Sequence, residues 1–231
     1  MKTFLTVCAC LVMTSNAAFA ALSKDEVTRL EEAATIIGDL RDAPDNGIPQ
    51  ELWKKAECVV VIPSMKKAAF VVGGEYGSGV MSCRNAGHWS APVFMQLAKG
   101  SWGLQIGAAQ TDLVLLVMNR KGVDKLLENK VTLGADASVA GGPLGRTATA
   151  ATDAQMKAEM LSYSRTQGLF AGIDLSGGTL KPDKNAIKRA YGPTASAQDL
   201  IAGTVATKAP AAARAFLNAL ARDVRATTAR R

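Results

Sequence analysis

Apolar residues recur at three- and four-residue spacing in residues 23–42, SKDEVTRLEEAATIIGDLRD, where Val27, Leu30, Ala34 and Ile37 share one face. The pattern predicts an amphipathic helix. Ser23 stands at the cap position, and Glu26 three residues on completes a capping box, in which each side chain accepts the other residue's backbone N–H. APDNGIP then breaks the helix with two prolines and an Asn-Gly turn. PQELWKKAE predicts a short second helix, with Pro49 in the first turn, where its missing N–H costs nothing.

From Cys58 the period changes to that of strands. CVVVIP is a β-branched run, KAAFVVGGEYGSGVMSCR reads as a hairpin turning near Gly77, and NAGHW makes a tight turn before SAPVFMQLA. GSWGLQIGAA and TDLVLLVMN follow as a third strand pair, then KGVDKLLEN as a short helix. VTLGADASVAGG, LGRTATAAT, MKAEMLSYSRTQ and GLFAGIDLSGGTL continue as short strands divided by glycines, which point to bulges, curvature or close backbone approach. DKNAIKRAYG predicts a short helix ending at Gly192, followed by two C-terminal helices. SAQDLIAGTVATK is the first. Pro210 opens the second, with Phe216, Leu217, Leu220 and Val224 on one face and Arg214, Asn218, Arg222 and Arg225 on the other. The expected class is α+β and β-rich: curved sheets, sandwich- or barrel-like, with flanking N- and C-terminal helices.

The first twenty residues stand apart. Lys2, the apolar run from Phe4 to Met13 and the small-x-small pattern Ala18-Phe19-Ala20 predict an export signal cleaved after residue 20, with an uncleaved membrane anchor as the alternative. Export implies a periplasmic or secreted protein, peripheral on a membrane if bound to one. Residues 21–231 are expected to form one domain, its core at about 30–192 and its C-terminal helices at 196–226. Cys58 and Cys83 can form one disulfide in an oxidising compartment; in a reducing one both would be small core residues. Their strand-like surroundings favour the bridge.

Charge is distributed unevenly along the chain. Residues 21–53 hold three basic and eight acidic residues, net −5, whereas residues 54–231 hold 23 basic and 12 acidic, net +11. An anionic partner should therefore meet the body or the C-terminal tail. Nucleic acid is not expected as that partner, because aromatic residues make up only 5% of the chain and single-strand readers need stacking platforms.

AGGPLGRTATAATD, residues 140–153, invites comparison with a phosphate-binding loop and fails it. Arg146 replaces the lysine, Pro143 stands where a loop N–H is wanted, and the residues after Thr147 alternate like a strand. The same residues belong to a different pattern. VTLGADASVAGGPLGRTATAATD, then Met160-Leu161-Ser162-Tyr163-Ser164-Arg165 and Gly168-Leu169-Phe170-Ala171-Gly172, resemble the SYLF domain family, also called the actin-regulator or lipid-binding domain. The likeness runs backward through GSWGLQIGAAQTDLVLLVMN, YGSGVMSCR and WSAPVF and forward to AYG at 190–192, covering about residues 30–192. It implies a β-rich, non-enzymatic domain that binds phospholipids, and in some eukaryotic members actin. Because those members are cytosolic and this chain reads as exported, actin is expected to be no partner. A phospholipid or anionic membrane surface is expected instead, with an envelope protein partner or a structural module of the envelope as the alternative.

The six candidate lipid-binding residues are Lys54, Lys55, Lys66, Lys67, Arg84 and Lys99. The lysine pairs flank the first strand, and folding that strand between them would bring both to one end of the sheet with Arg84 or Lys99. The helix over 23–42 is acidic, with Glu26, Glu31, Glu32, Asp39 and Asp42, so an anionic surface should meet the basic body instead. No catalytic, cofactor or metal site is expected. His88 is the only histidine and falls in a turn, no G-x-S-x-G elbow is present, and one His with two Cys makes no zinc set. Asp112, Asp136 and Asp153 are expected to accept backbone N–H groups or pair with Arg146 or Arg165, and Trp89 and Trp102 to anchor the core.

Overall fold

The computed structural model describes residues 22–43, 47–69, 72–102, 110–128, 130–145, 157–166, 169–204 and 209–222. Helix α1 (Lys24–Asp42) has the reciprocal capping box: the Glu26 N–H donates to Ser23 Oγ and the Ser23 N–H to Glu26 Oε2. Its apolar stripe, Leu30, Ala33, Ile36, Ile37 and Leu40, is buried. Helix α2 (Gln50–Lys55) follows from Pro49 and buries Trp53. Ten strands come next among the described residues: β1 (Cys58–Ala69), β2 (Val72–Asn85), β3 (His88–Trp89), β4 (Val93–Trp102), β5 (Gln110–Val117), β6 (Val131–Thr132), β7 (Val139–Gly141), β8 (Met160–Thr166), β9 (Leu169–Gly172) and β10 (Gly178–Pro182), with helix α3 (Arg120–Leu126) after β5. Helices α4 (Lys184–Tyr191), α5 (Ala197–Ala202) and α6 (Arg214–Ala221) close the described chain.

The strands form one curled half-barrel sheet in the order β6-β10-β4-β2-β1-β5-β8-β7, with β3 beside β2 and β9 beside β8. The fold is α+β, a curved sheet flanked by N- and C-terminal helices. Every residue from Cys58 to Ile62 is fully buried, so both faces of central β1 are covered. α1 lies against β1 and β2, α5 against β2 and β4, and α4 against β4. Cys58 and Cys83, direct neighbours in the β1–β2 register, are joined by a disulfide.

Several strand boundaries differ from expectation. β1 and β2 pair antiparallel from Cys58↔Cys83 to Ala69↔Gly73, so the chain reverses just past Ala69 and Gly77 lies within β2. Gly77 marks a close approach: a Cβ there would sit 2.4 Å from Ile62 Cγ2, and at Gly79 2.2 Å from the Val61 carbonyl. β1 runs through Pro63 by a bulge, where both neighbouring registers shift and Ser64 takes φ +48°. The expected pairing of GSWGLQIGAA with TDLVLLVMN does not occur. β4 pairs with β2 and β10, while β5 pairs with β1 and β8. The buried run Leu113–Val117 matches the buried run of β1 and takes its free side.

The glycine motif at 140–145 has a packing reason. A Cβ on Gly142 would lie 2.0 Å from Cζ of the buried Tyr163 ring, and one on Gly172 would lie 2.3 Å from the Gly142 carbonyl. These glycines let β7, β8 and β9 approach without side chains between them. Arg146 and Asp153 lie outside the described residues, as do the side chains of Lys67 and Trp102.

Helix α1 is acidic because it docks on the basic body. Glu26 is 1% exposed and pairs with Arg189 of α4, Asp39 pairs with Arg165 of β8, and Asp42 pairs with Arg222 after α6. Three of the five acids expected to repel an anionic surface are thus neutralised within the fold. α6 packs on α1 and buries Phe216, Ala219 and Leu220.

Candidate anion-binding cleft

The six expected lipid-binding residues do not come together. Lys54 and Lys55 are exposed at the end of α2, and Arg84 sits one residue after Cys83, so these three share the Cys58 end of β1. Lys66 is exposed towards the other end, opposite Tyr76 and Gln110. Lys67 and Lys99 both stand opposite Glu75 in the backbone register, and Lys99 donates to the Asp174 carbonyl at 3.1 Å. The bulge in β1 bends the strand without reversing it, so about 25 Å of extended chain separates Cys58 from Lys66.

The Cys58 end holds a cleft of about 400 Å³ between the end of α1, α2, the β2–β3 hairpin and α6. The hairpin turns through Ala86 and Gly87, both at positive φ, which presents His88 and Trp89 at its rim. Arg41, Lys54, Arg84 and Arg222 line the cleft, with Trp53 and Trp89, and no carboxylate is among the lining residues described.

Two arginine–tryptophan stacks set its geometry. The Arg41 guanidinium lies 4.7 Å from the Trp53 ring centroid, and that of Arg84 lies 4.4 Å from Trp89. Helix ends hold both cations. Arg84 donates from Nε to the Ala56 carbonyl and from Nη2 to the Trp53 carbonyl, each at 3.1 Å, at the end of α2. Arg41 donates to the Leu220 carbonyl at 2.8 Å and to the Arg222 carbonyl, at the end of α6. C-terminal carbonyls carry partial negative charge and leave the helix unsatisfied, so guanidiniums suit them. They orient Arg84 without a carboxylate to neutralise it. Lys54 and Arg222 have exposed carboxylate partners, Glu51 at 3.2 Å and Asp42 at 2.9 Å, and such surface pairs contribute little.

Trp53 is 3% exposed, and its indole N–H has no hydrogen-bond acceptor. His88 is exposed, and Ser90 Oγ accepts the Cys83 N–H at 3.1 Å. The remaining acids are structural. Asp112 pairs with Arg165 at 2.7 Å and accepts the Ser64 N–H at the bulge. Asp136 accepts the Thr132 N–H at 2.7 Å, a bond that holds its carboxyl below the usual range. Among the described residues no group of three His, Cys, Asp or Glu side chains could hold a metal ion, and no helix is long and apolar enough to cross a membrane.

Sequence reasoning found Lys54 and Arg84 and missed Arg41, Trp53 and Arg222. Trp89, expected as a core anchor, is half-buried beneath Arg84 at the cleft wall. The local signal was the basic–aromatic juxtaposition of Trp53-Lys54 and His88-Trp89. Nothing local joins Arg41 to Arg222, which lie 181 residues apart.

Residues 98–223 match the family model Ysc84, described as Las17-binding protein actin regulator. SH3 domain-containing protein PJ696.02 of Schizosaccharomyces pombe is 37% identical over 168 residues, 71% of this chain and 39% of that protein. LAS seventeen-binding protein 3 of Saccharomyces cerevisiae is 34% identical over 165 residues, 70% of this chain and 36% of that one. SH3 domain-containing YSC84-like protein 1 of Mus musculus is 34% identical over 173 residues, covering 74% and 51%. The match thus spans about a third to a half of these relatives' length. The expectation that actin is no partner is overturned. It rested on a reading of the leader, and the family is described by actin regulation, not by an enzymatic activity. The match, running from within β4 to just past α6, shows that this chain belongs to the Ysc84, or SYLF, family.

Proposed function

We propose that the chain binds an anionic phospholipid surface, without catalysing a reaction, through the basic cleft at the Cys58 end of the sheet. One observation carries this reading: four cationic side chains line the cleft and no described lining residue is acidic. Each basic residue near an anionic bilayer contributes about 1 kcal/mol, so the four give useful but reversible attraction. Export belongs to the same reading, with residues 1–20 removed and the domain acting in the cell envelope. The Cys58–Cys83 bridge supports it, because disulfides persist in oxidising compartments.

Co-sedimentation with vesicles of neutral lipid, and of neutral lipid with added phosphatidylglycerol, tests the reading. Binding should require the anionic lipid, fade as salt rises and weaken in a Lys54→Gln/Arg84→Gln variant. A Lys66→Gln/Lys99→Gln variant at the other end should bind like the parent. Equal binding to neutral vesicles would refute the proposal.

The family description favours a second reading, attachment to actin filaments through the same basic surface. Co-sedimentation with filaments in the absence of lipid tests it, and protein left in the supernatant at every filament concentration would exclude it.

A further inference from the structure

We infer that β3 accepts an extended segment of a partner protein as an added strand, one that sets an acidic side chain beside an apolar one. The inference goes beyond the membrane reading: it gives the hairpin a protein ligand and uses a second cleft on its other face.

The backbone carries the first part of the argument. Among the described residues β3 pairs with β2 alone. The hairpin register sets Arg84 opposite Trp89 and Asn85 opposite His88, and the Ser90 N–H donates to the Cys83 carbonyl at 2.8 Å. Hydrogen-bonded and non-hydrogen-bonded pairs alternate in an antiparallel ladder, so Arg84 and Trp89 form a non-hydrogen-bonded pair. The Arg84 N–H accordingly turns the other way and donates to the Glu57 carbonyl at 2.7 Å. The Trp89 N–H and C=O therefore point away from β2, where an added strand would pair with them.

Side chains supply the sequence preference. Arg84 and Trp89 share one face of the hairpin, and Asn85 and His88 share the other. The first pair lines the basic cleft. The second pair lines a cleft of about 300 Å³ with Ala86, Ala91 and Leu200, and no acid, lysine or arginine is among its lining residues described. His88 and Trp89 border both clefts. Successive side chains of an extended segment point to opposite faces, so two adjacent residues enter the two clefts. An acidic residue meets Arg84 and Lys54 and offers an acceptor to the Trp53 indole N–H, which is buried without one. Its neighbour meets Leu200 beside two small alanines, which leave room for an apolar side chain.

Fluorescence anisotropy of the full chain with two labelled heptapeptides tests the inference. One is centred on Glu-Leu and the other on Leu-Glu, each flanked by Ser and Thr, because the edge admits either strand direction. At least one should saturate a single site per chain. Exchanging its glutamate for glutamine, or methylating its central amide nitrogens, should each weaken binding about tenfold. Exchanging the leucine for serine should weaken it about fivefold. Lys54→Gln alters only an exposed side chain and should weaken it about threefold. No saturable binding up to about 1 mM, or an affinity untouched by either the glutamine exchange or the methylation, would overturn the inference. Dimers of the free chain in sedimentation velocity that the peptides leave intact would assign the edge to a second copy and overturn it as well. Phosphatidylglycerol vesicles separate it from the membrane reading. If they sediment the protein while neither peptide binds, the added strand falls and the membrane reading stands. If a peptide binds while the vesicles do not, the added strand stands and the membrane reading falls.

Discussion

Arg189 holds the carboxylate of Glu26 from 163 residues away, its Nη2 at 2.6 Å and its Nε at 2.9 Å from the same oxygen. The other oxygen accepts the Ser23 N–H, so one buried carboxylate both caps α1 and ties it to α4. Arg189→Met should strand that charge and cost about 2 kcal/mol, a figure reduced for the half exposure of Arg189. Glu26→Gln should cost less, because it leaves an exposed arginine in water rather than a buried charge without its partner. Urea unfolding of the two variants and their double mutant gives the coupling energy. Equal losses in the two single variants would refute this account.

Gly142 is dictated by Tyr163. A Cβ at residue 142 would meet Cζ at 2.0 Å and the hydroxyl oxygen at 2.2 Å, and the ring is fully buried with nowhere to move. Gly142→Ala should therefore cost about 2 kcal/mol by overpacking. Tyr163→Leu in that background should restore part of the loss, although the same change alone destabilises. Thermal unfolding of the three variants measures this sign reversal, and a neutral Gly142→Ala would show that the contact is soft.

The Cys58–Cys83 bridge closes a loop across 25 residues of sequence. Loop-closure entropy gives it about 3 kcal/mol relative to the reduced chain. Urea unfolding with and without reductant should show that difference, and Cys58→Ser/Cys83→Ser should match the reduced parent. Identical unfolding midpoints under both conditions would count against a stabilising role.

Glu159 supplies a pH dependence. Burial works against its charged form, but hydrogen bonds from Lys125, the Ser138 N–H and Lys121 outweigh it and hold the pKa near 2 instead of 4.5. A carboxylate depressed by folding contributes stability that is complete above its unfolded pKa and lost as pH falls through its folded one. The contribution is thus present above about pH 4.5 and lost towards pH 2. Glu159→Gln should flatten the stability profile across that window and leave its shape near pH 7 unchanged. Parallel profiles for parent and variant would refute this assignment.

How far the sequence disclosed the fold depended on the range of the interaction. The capping box at Ser23 and Glu26 spans one helical turn and was legible; so was the tight turn before His88. Gly77 was misread as a turn because a glycine in a strand looks the same whether the chain reverses there or a neighbour such as Ile62 presses on it. The charge asymmetry was visible, but its use was not. Arg189 and Arg222 read as surplus charge until folding sets them against α1, whereas Arg165 was expected to pair with an aspartate and does so with Asp112, holding Asp39 of α1 as well. Half of the cleft cations, Lys54 and Arg84, were legible because they lie near the aromatics they accompany. Arg41 and Arg222 were hidden by the length of chain between them.

The clasp on α1 also fixes a sequence of events during synthesis. Glu26 and Asp42 emerge from the ribosome well before their partners Arg189 and Arg222 exist. These two ion pairs can therefore close only after nearly the whole polypeptide has been made, although the contacts of α1 with β1 and β2 are available much earlier.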